Sequence, residues 1–444
     1  MDLLISFLIF TGSVAACLVW KISLCFALLV GLAGFFSVGL RRGFAAKELL
    51  RMVIAGGKTS FVVFRVLFLI GCLTALWRAS GTISVFVYYG MKLISPRIFI
   101  LIAFLLPMLL AYALGTSFGV TGTAGVMLMI LARSGGVSEY ITAGAIISGA
   151  YFGDMCSPAS SAAVLAASVS GADHGRFLKL MLKTSVIPVL VSLSAFGLFS
   201  LQTPIRSVDV GFLSAIERSF RLSWPTVLPA LLMLVLPWLK VGFTMSIAVS
   251  AVCAFAVAAL VQGQAISALF SACFLGYTPQ LEALKGIMSG GGAKSILEVM
   301  FIILLASTYS GIFQGTLMLL PVQRRIGEMT DKIGLFPAQI VVACLSAGVF
   351  CSQTMGIILS AQLLGKVYEE KGCSKEELAV DIGNSILTIS ALIPWSIAAT
   401  VPLSMLAVGP RALLYCVFLY AVPLCYLFSK RIWFRRPTPV PEHI

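Results

Sequence analysis

Histidine is almost missing from this chain: His174 and His443 are the two among 444 residues. With so few imidazoles and no Cys-x-x-Cys pair, a His/Cys metal centre has no ligand spacing to rest on. No Gly-x4-Gly-Lys-Ser/Thr phosphate loop occurs either, which disfavours an ATP-driven pump and leaves an ion gradient as the energy source. Charge is scarce as well. Charged residues make up 11% of the chain, where a soluble domain carries about a quarter. The scarcer sign is negative, with 17 Asp and Glu against 31 Lys and Arg and a net charge of +14. The basic residues cluster between apolar stretches, so they read as membrane anchors rather than as a nucleic-acid surface. Nothing basic precedes the opening run MDLLISFLIFTGSVAACLVW, so a cleaved signal lacks its positive n-region and an ordinary first helix is expected. The 11 cysteines are scattered, mostly inside apolar runs, and read as small buried residues without disulfides.

What is present is apolar length. Hydrophobic residues form 59% of the chain and mean hydropathy is +1.04, which predicts an all-α polytopic membrane protein with the lipid bilayer as its partner. Spanning runs fall at 3–20, 22–40, 61–80, 139–170 (interrupted), 178–201, 226–239, 241–262, 297–320, 378–407 (interrupted) and 411–429. Two further stretches, 97–132 and 335–368, are interrupted by GTSFGVTGT (115–123) and FCSQTMG (350–356). Each reads as a re-entrant hairpin of two half-length helices meeting at a non-helical tip, tolerated at membrane depth where it is buried in protein or lines a cavity. Interfacial segments are expected at 43–60 and 265–290.

The chain also repeats. RVLFLIGCLTALWRASGT (65–82) aligns without gaps on VMFIILLASTYSGIFQGT (299–316), and the hairpins follow at almost equal offsets. Each half then holds five crossings, an odd number, so the second copy enters upside down. The expected domains are an N-terminal repeat at 1–201, a charged linker at 202–225 (Arg206, Arg218, Arg221), a C-terminal repeat at 226–429 and a basic tail at 430–444. One side carries the 41–60 loop together with Arg176, Lys179, Lys183, Lys240, Arg324, Arg325, Lys332, Lys366, Lys371, Lys375, Lys430, Arg431, Arg435 and Arg436. That side holds 19 of the 31 basic residues, which places both termini in the cytoplasm of a cell (inner) membrane protein.

Ionisable groups within such spans mark solute pathways. Asp154 is the leading candidate. It lies in ISGAYFGDMCSP, where Gly149, Gly153 and Pro158 weaken helix continuity while Ser157, Ser160 and Ser161 supply hydroxyls. Its competing role is a carboxylate that caps a half-helix N-terminus. Glu298 and Arg65 read as interfacial anchors. Asp381, following Lys375-Glu376-Glu377, reads as starting a helix at the cytoplasmic surface, and His174 as an exposed loop residue. Thr116, Ser117, Thr121 and Thr123 sit at one hairpin tip and Ser352, Gln353 and Thr354 at the other, with Asn384, Ser385, Thr388 and Ser390 before LIPW (392–395). Hydroxyls, amides and unwound carbonyls suit a Na⁺-sized ion, whereas half-helix N-termini suit an anion.

At these residues the chain resembles the NhaC family of Na⁺/H⁺ antiporters, within the wider ion-transporter superfamily. The likeness covers most of the chain. It rests on ASGT (79–82) with YYG (88–90), GTSFG (115–119), SGAYFGD with SP (148–158), SGAD (170–173), SQ (352–353) and LIPW (392–395). The resemblance implies an inverted-repeat transporter, not an enzyme, that exchanges Na⁺ for H⁺, with relatives moving organic acids or amino acids. Na⁺ and H⁺ are then cargo, Asp154 a transient Na⁺ ligand, and no bound cofactor is expected. Three acidic family positions are neutral here. Ser161, Ala162 and Ala163 follow Ser160 where Asp-Thr-Thr is usual, and Gly383, Asn384, Ser385, Ile386 and Leu387 replace Glu-Asp-Ser-Gly-Thr. The Asn that usually follows the Trp is Ser396. One matched acid, Asp154, remains. A cation/proton antiporter is the first reading and an ion-coupled carrier of a small organic solute the second. The sequence leaves a homodimer open.

Overall fold

The computed structural model describes residues 2–20, 22–58, 60–93, 96–202, 210–239, 241–316 and 328–434. Arg206, Lys240, Arg324, Arg325, Arg435, Arg436 and His443 lie outside the described residues. Among those described the chain is nearly all helix, with one isolated antiparallel bridge between Tyr277 and Gly290. Helices occupy each expected span: Asp2–Trp20, Leu24–Arg41, Ser60–Ala79, Glu139–Cys156 with Ser161–Ser170, His174–Gln202, Leu228–Trp238, Phe243–Leu260, Leu297–Thr316, Lys375–Gly383 with Ile397–Met405, and Val417–Trp433. By length and composition, four described helices are long and apolar enough to cross a membrane, or up to seven when each bent pair is one span. Shorter apolar helices make up the rest. Many large hydrophobic side chains face outward, among them Leu260, Phe428 and Leu190. In water such a surface would be unstable, whereas in lipid it is the solvent-facing side.

Both broken stretches are helix–break–helix units, but the breaks are shorter than the polar runs suggested. Phe99–Leu114 ends at Gly115, and the chain is helical again from Ser117 to Ser134 with a wide π turn at Thr121–Gly125. Leu335–Phe350 ends at Cys351 and Gln353–Glu370 follows. Each unit therefore has a 16-residue incoming limb and an 18-residue return limb. At about 1.5 Å per residue these limbs reach roughly 24–27 Å, well beyond half a membrane. The reason lies in the caps. Gly115 adopts φ +68°, open to a residue without Cβ. Thr116 then accepts from the Gly119 N–H at 3.2 Å, and Ser352 likewise accepts from Met355 N–H at 3.5 Å. With Ser/Thr caps on the very next residue, the helix restarts at once. In the second unit Gln339 donates to Ser360 Oγ at 2.9 Å across the two limbs. The first unit splays instead around an apolar cavity of about 430 Å³ lined by Trp77, Leu106, Leu110, Met127 and Met233.

Two elements were not anticipated. Helix Thr82–Leu93 leaves its predecessor at 66° through Ser80–Gly81. The linker is partly ordered as helix Val210–Ser219, where Glu217 accepts a hydrogen bond from Tyr88. Gly149 and Gly153 also act otherwise than expected. Helix Glu139–Cys156 runs unbroken through both. A Cβ on Gly153 would strike the backbone of Ala111, and one on Gly149 the backbone of Phe104 and Met108. The Gly-x3-Gly pair is thus a close-packing face for the incoming limb, as small residues are between membrane helices.

Candidate functional site

The end of helix Glu139–Cys156 brings Asp154 against the first hairpin's restart point. Asp154 is 9% exposed. Its Oδ2 accepts from Ser117 Oγ at 2.6 Å and its Oδ1 from the Ser117 backbone N–H at 3.2 Å. The carboxylate therefore sits at the positive end of the return limb, whose first N–H groups have no intrahelical partner. Capping and a functional role are compatible in this geometry. Ser157 accepts from the Ala159 N–H at 3.2 Å within the break. Ser160 donates to the Asp154 carbonyl at 2.8 Å and caps helix Ser161–Ser170 through Ala163 N–H at 3.2 Å. Ser161 is exposed. Thr116, Ser117, Asp154, Ser157 and Ser160 thus converge within one break-to-tip junction.

The second junction gathers the remaining residues. Gln353 Nε2 donates to the Leu387 carbonyl at 3.2 Å, and the Cys351 carbonyl accepts from Ile397 N–H at 2.8 Å and from Ser396 Oγ at 3.4 Å. Ser385 Oγ donates to the Asp381 carbonyl at 2.7 Å and receives Gln339 Nε2 at 3.1 Å. Asn384 and Thr184 are hydrogen-bonded at 3.3 Å, while Thr388 bonds back to the Ser385 carbonyl at 3.0 Å. Ser352 is half-buried at its cap, and Ser390 is buried with no partner among the described residues. Thr121 and Ser148 likewise bury unpartnered hydroxyls, groups that ordinarily find a ligand or a water.

Tyr151 joins the two junctions. It is fully buried, one turn before Asp154, and donates to the Ala398 carbonyl at 2.5 Å. It lies within SGAYFGD (148–154), and its spacing of three residues from Asp154 is the signal in the sequence that places both on one helix face.

Two expectations are corrected. Asp381 does not start a surface helix. It lies in the last turn of Lys375–Gly383, fully buried, and accepts from Tyr426 at 2.7 Å, from Tyr368 and from Lys430, which also pairs with Glu377 at 2.9 Å. The helix caps at Ser374, seven residues upstream, so the acid is carried inward and needs its lysine. His174 is half-buried rather than exposed, with its ring stacked near Phe177. Glu298, by contrast, is exposed and accepts from Ser23 Oγ at 2.6 Å, and Arg65 is exposed as well.

Apolar helices interrupted at paired capped breaks, with a buried carboxylate at one of them, define a multi-pass membrane protein of the solute-transporter class. The model of the Na⁺/H⁺ antiporter family matches residues 3–198 and 176–429, and this chain belongs to that family as a divergent, NhaC-like member. It is 25% identical over 417 residues to the malate-2H⁺/Na⁺-lactate antiporter of Bacillus subtilis (strain 168), covering 91% of this chain and 89% of that one. It is 26% identical over 399 residues to the Na⁺/H⁺ antiporter NhaC of Alkalihalophilus pseudofirmus, covering 88% and 86%. The arginine/ornithine antiporter ArcD of Halobacterium salinarum is 25% identical over 344 residues, covering 74% and 70%.

Proposed function

We propose that this protein is a monovalent cation/proton antiporter of the cell membrane in which Asp154 holds Na⁺ and H⁺ in turn. One observation carries the reading. Asp154 is buried and bound by Ser117 alone, with no Lys or Arg among its described hydrogen-bond and ion-pair partners. The other buried acids, Asp381 and Glu377, share Lys430. An ionised carboxylate buried without a counter-charge is costly, so a proton or a cation neutralises it. Because both compete for the same two oxygens, protonation expels the cation and cation binding expels the proton. Thr116, Ser157, Ser160 and Ser161 would supply further oxygens as the break opens, and Ser352, Gln353, Asn384, Ser385, Thr388 and Ser396 the facing wall. The architecture in this reading is ten spans with hairpins at 97–132 and 335–368, in inverted repeats 1–201 and 226–429, both termini cytoplasmic. The equal limb lengths of the two hairpin units support it.

A second reading, an ion-coupled carrier of a small organic solute, is favoured by the cargo named for two of the relatives and by the neutral run Gly383–Leu387. Exchange assays in proteoliposomes with Na⁺, Li⁺ and K⁺ against a panel of amino and carboxylic acids separate the two. Na⁺-driven proton movement without organic exchange supports the first; organic exchange without Na⁺-driven proton movement overturns it.

A further inference from the structure

Lys430 faces two buried carboxylates, and the proposed transport site uses none of the three. Glu377 and Asp381 lie one turn apart in helix Lys375–Gly383, and Lys430 sits in the last turn of Val417–Trp433. Its ammonium pairs with Glu377 at 2.9 Å and with Asp381. Asp381 also accepts from Tyr426 at 2.7 Å and from Tyr368 of helix Gln353–Glu370, with the Cys373 thiol beyond that ring. Leu335–Phe350 presents Phe336 to Tyr426, and His174–Gln202 presents Met181 and Phe177 to Gly383. His174, stacked near Phe177, bonds neither acid, and Lys375 lies against Gly171. Arg431 is exposed and makes no ion pair with either acid among the described residues. With both acids ionised, the cluster carries one negative charge more than Lys430 balances. Buried, that imbalance is costly, and one proton shared by the pair removes it.

A cavity of about 620 Å³ opens onto the cluster, lined by Phe336, Glu377, Leu427, Lys430, Arg431 and Phe434. Glu377 and Lys430 form part of its wall, which gives water a route to the pair. A bonded chain leads inward from there. The Asp381 carbonyl accepts from Ser385 Oγ at 2.7 Å, and Ser385 accepts from Gln339 Nε2 at 3.1 Å. The cluster thus ties the second broken span to the final helix on one side and to the second hairpin on the other. We propose that Glu377, Asp381 and Lys430 form a pH-sensitive latch, closed while the acid pair holds one proton and loosened when that proton leaves. The sign follows from the charge count. The closed cluster binds one proton more than the same groups separated in water, so closure is favoured at low pH and lost as pH rises. Loosening frees the segment that carries Ser385, Thr388 and Ser396. The latch proton does not exchange for cargo, so the device is separate from Asp154.

The test is hydrogen exchange of helix Lys375–Gly383 in the purified full chain in detergent, from about pH 5 to 9 and corrected for the intrinsic base-catalysed rate. Opening that releases one proton should become about tenfold more favourable per pH unit across the pair's titration. Glu377→Gln leaves one carboxylate for Lys430, so its protection should stay high and flat over that range. Asp381→Asn restores the same balance and is read in the same way if Glu377→Gln does not fold. Protection that does not change with pH in the unmodified protein overturns the proposal, whether or not the variants fold. A folded Glu377→Gln protein that keeps the unmodified pH dependence overturns it as well. Asp154→Asn, measured in parallel, should keep that dependence even where Na⁺-driven proton movement fails, so the latch and the antiporter reading fall separately.

Discussion

Ser117 gives Asp154 both of its hydrogen bonds, one through the hydroxyl and one through the backbone N–H. Ser117→Ala removes only the hydroxyl. A hydrogen bond to a charged group contributes roughly 1.5–3 kcal/mol, so the half-saturating Na⁺ concentration should rise about tenfold or more in proteoliposome flux while the protein still inserts. Competition at one carboxylate also fixes a pH dependence. Protons occupy the oxygens as pH falls, so the apparent KM for Na⁺ should rise at acid pH and fall at alkaline pH. A KM independent of pH between 6 and 9 would separate proton and cation sites. The sign of the Asp154 environment could not be read from sequence. Helix-breaking neighbours flagged the residue, but the absence of a basic partner is a property of the packed bundle.

At the scale of elements, the breaks matter more than the spans. Gly153→Val would drive methyl groups into the Ala111 backbone and should cost about 1–3 kcal/mol or more, seen as a lowered Tm in detergent. Lys430 locks the start of the second broken span to the final helix through Asp381 and Glu377. Lys430→Met leaves two buried carboxylates facing each other and should destabilise by roughly 3–5 kcal/mol. Adding Asp381→Asn should recover part of that loss, whereas a double variant no more stable than the single one would show the acid to be independent of the lysine. Hydropathy located the helices within a few residues because lipid imposes a length on every span. It misjudged the tips, since GTSFGVTGT and FCSQTMG look disordered by composition while their caps restart the helix after two residues. It also misjudged Asp381, because a charged run beside an acid reads as surface unless the partner lysine, 49 residues away, is known.

Across the whole molecule, the proposed two-repeat plan rests on the aligned segments 65–82 and 299–316 and on the equal limb lengths of the two hairpin units. What sequence could not supply is how the halves interlock. Tyr151 of the first reaches the Ala398 carbonyl of the second, and Asn384 of the second meets Thr184 of the first. Each junction therefore includes a contact from the other half of the chain. The account turns on Asp154 as the single exchanging acid. Asp154→Asn keeps the shape and removes the titratable charge. The decisive measurement is Na⁺-dependent pH change inside proteoliposomes containing this variant beside the unmodified protein. Loss of the signal in Asp154→Asn, with normal insertion and Tm, is the predicted result. A variant that still moves protons when Na⁺ is added would contradict it.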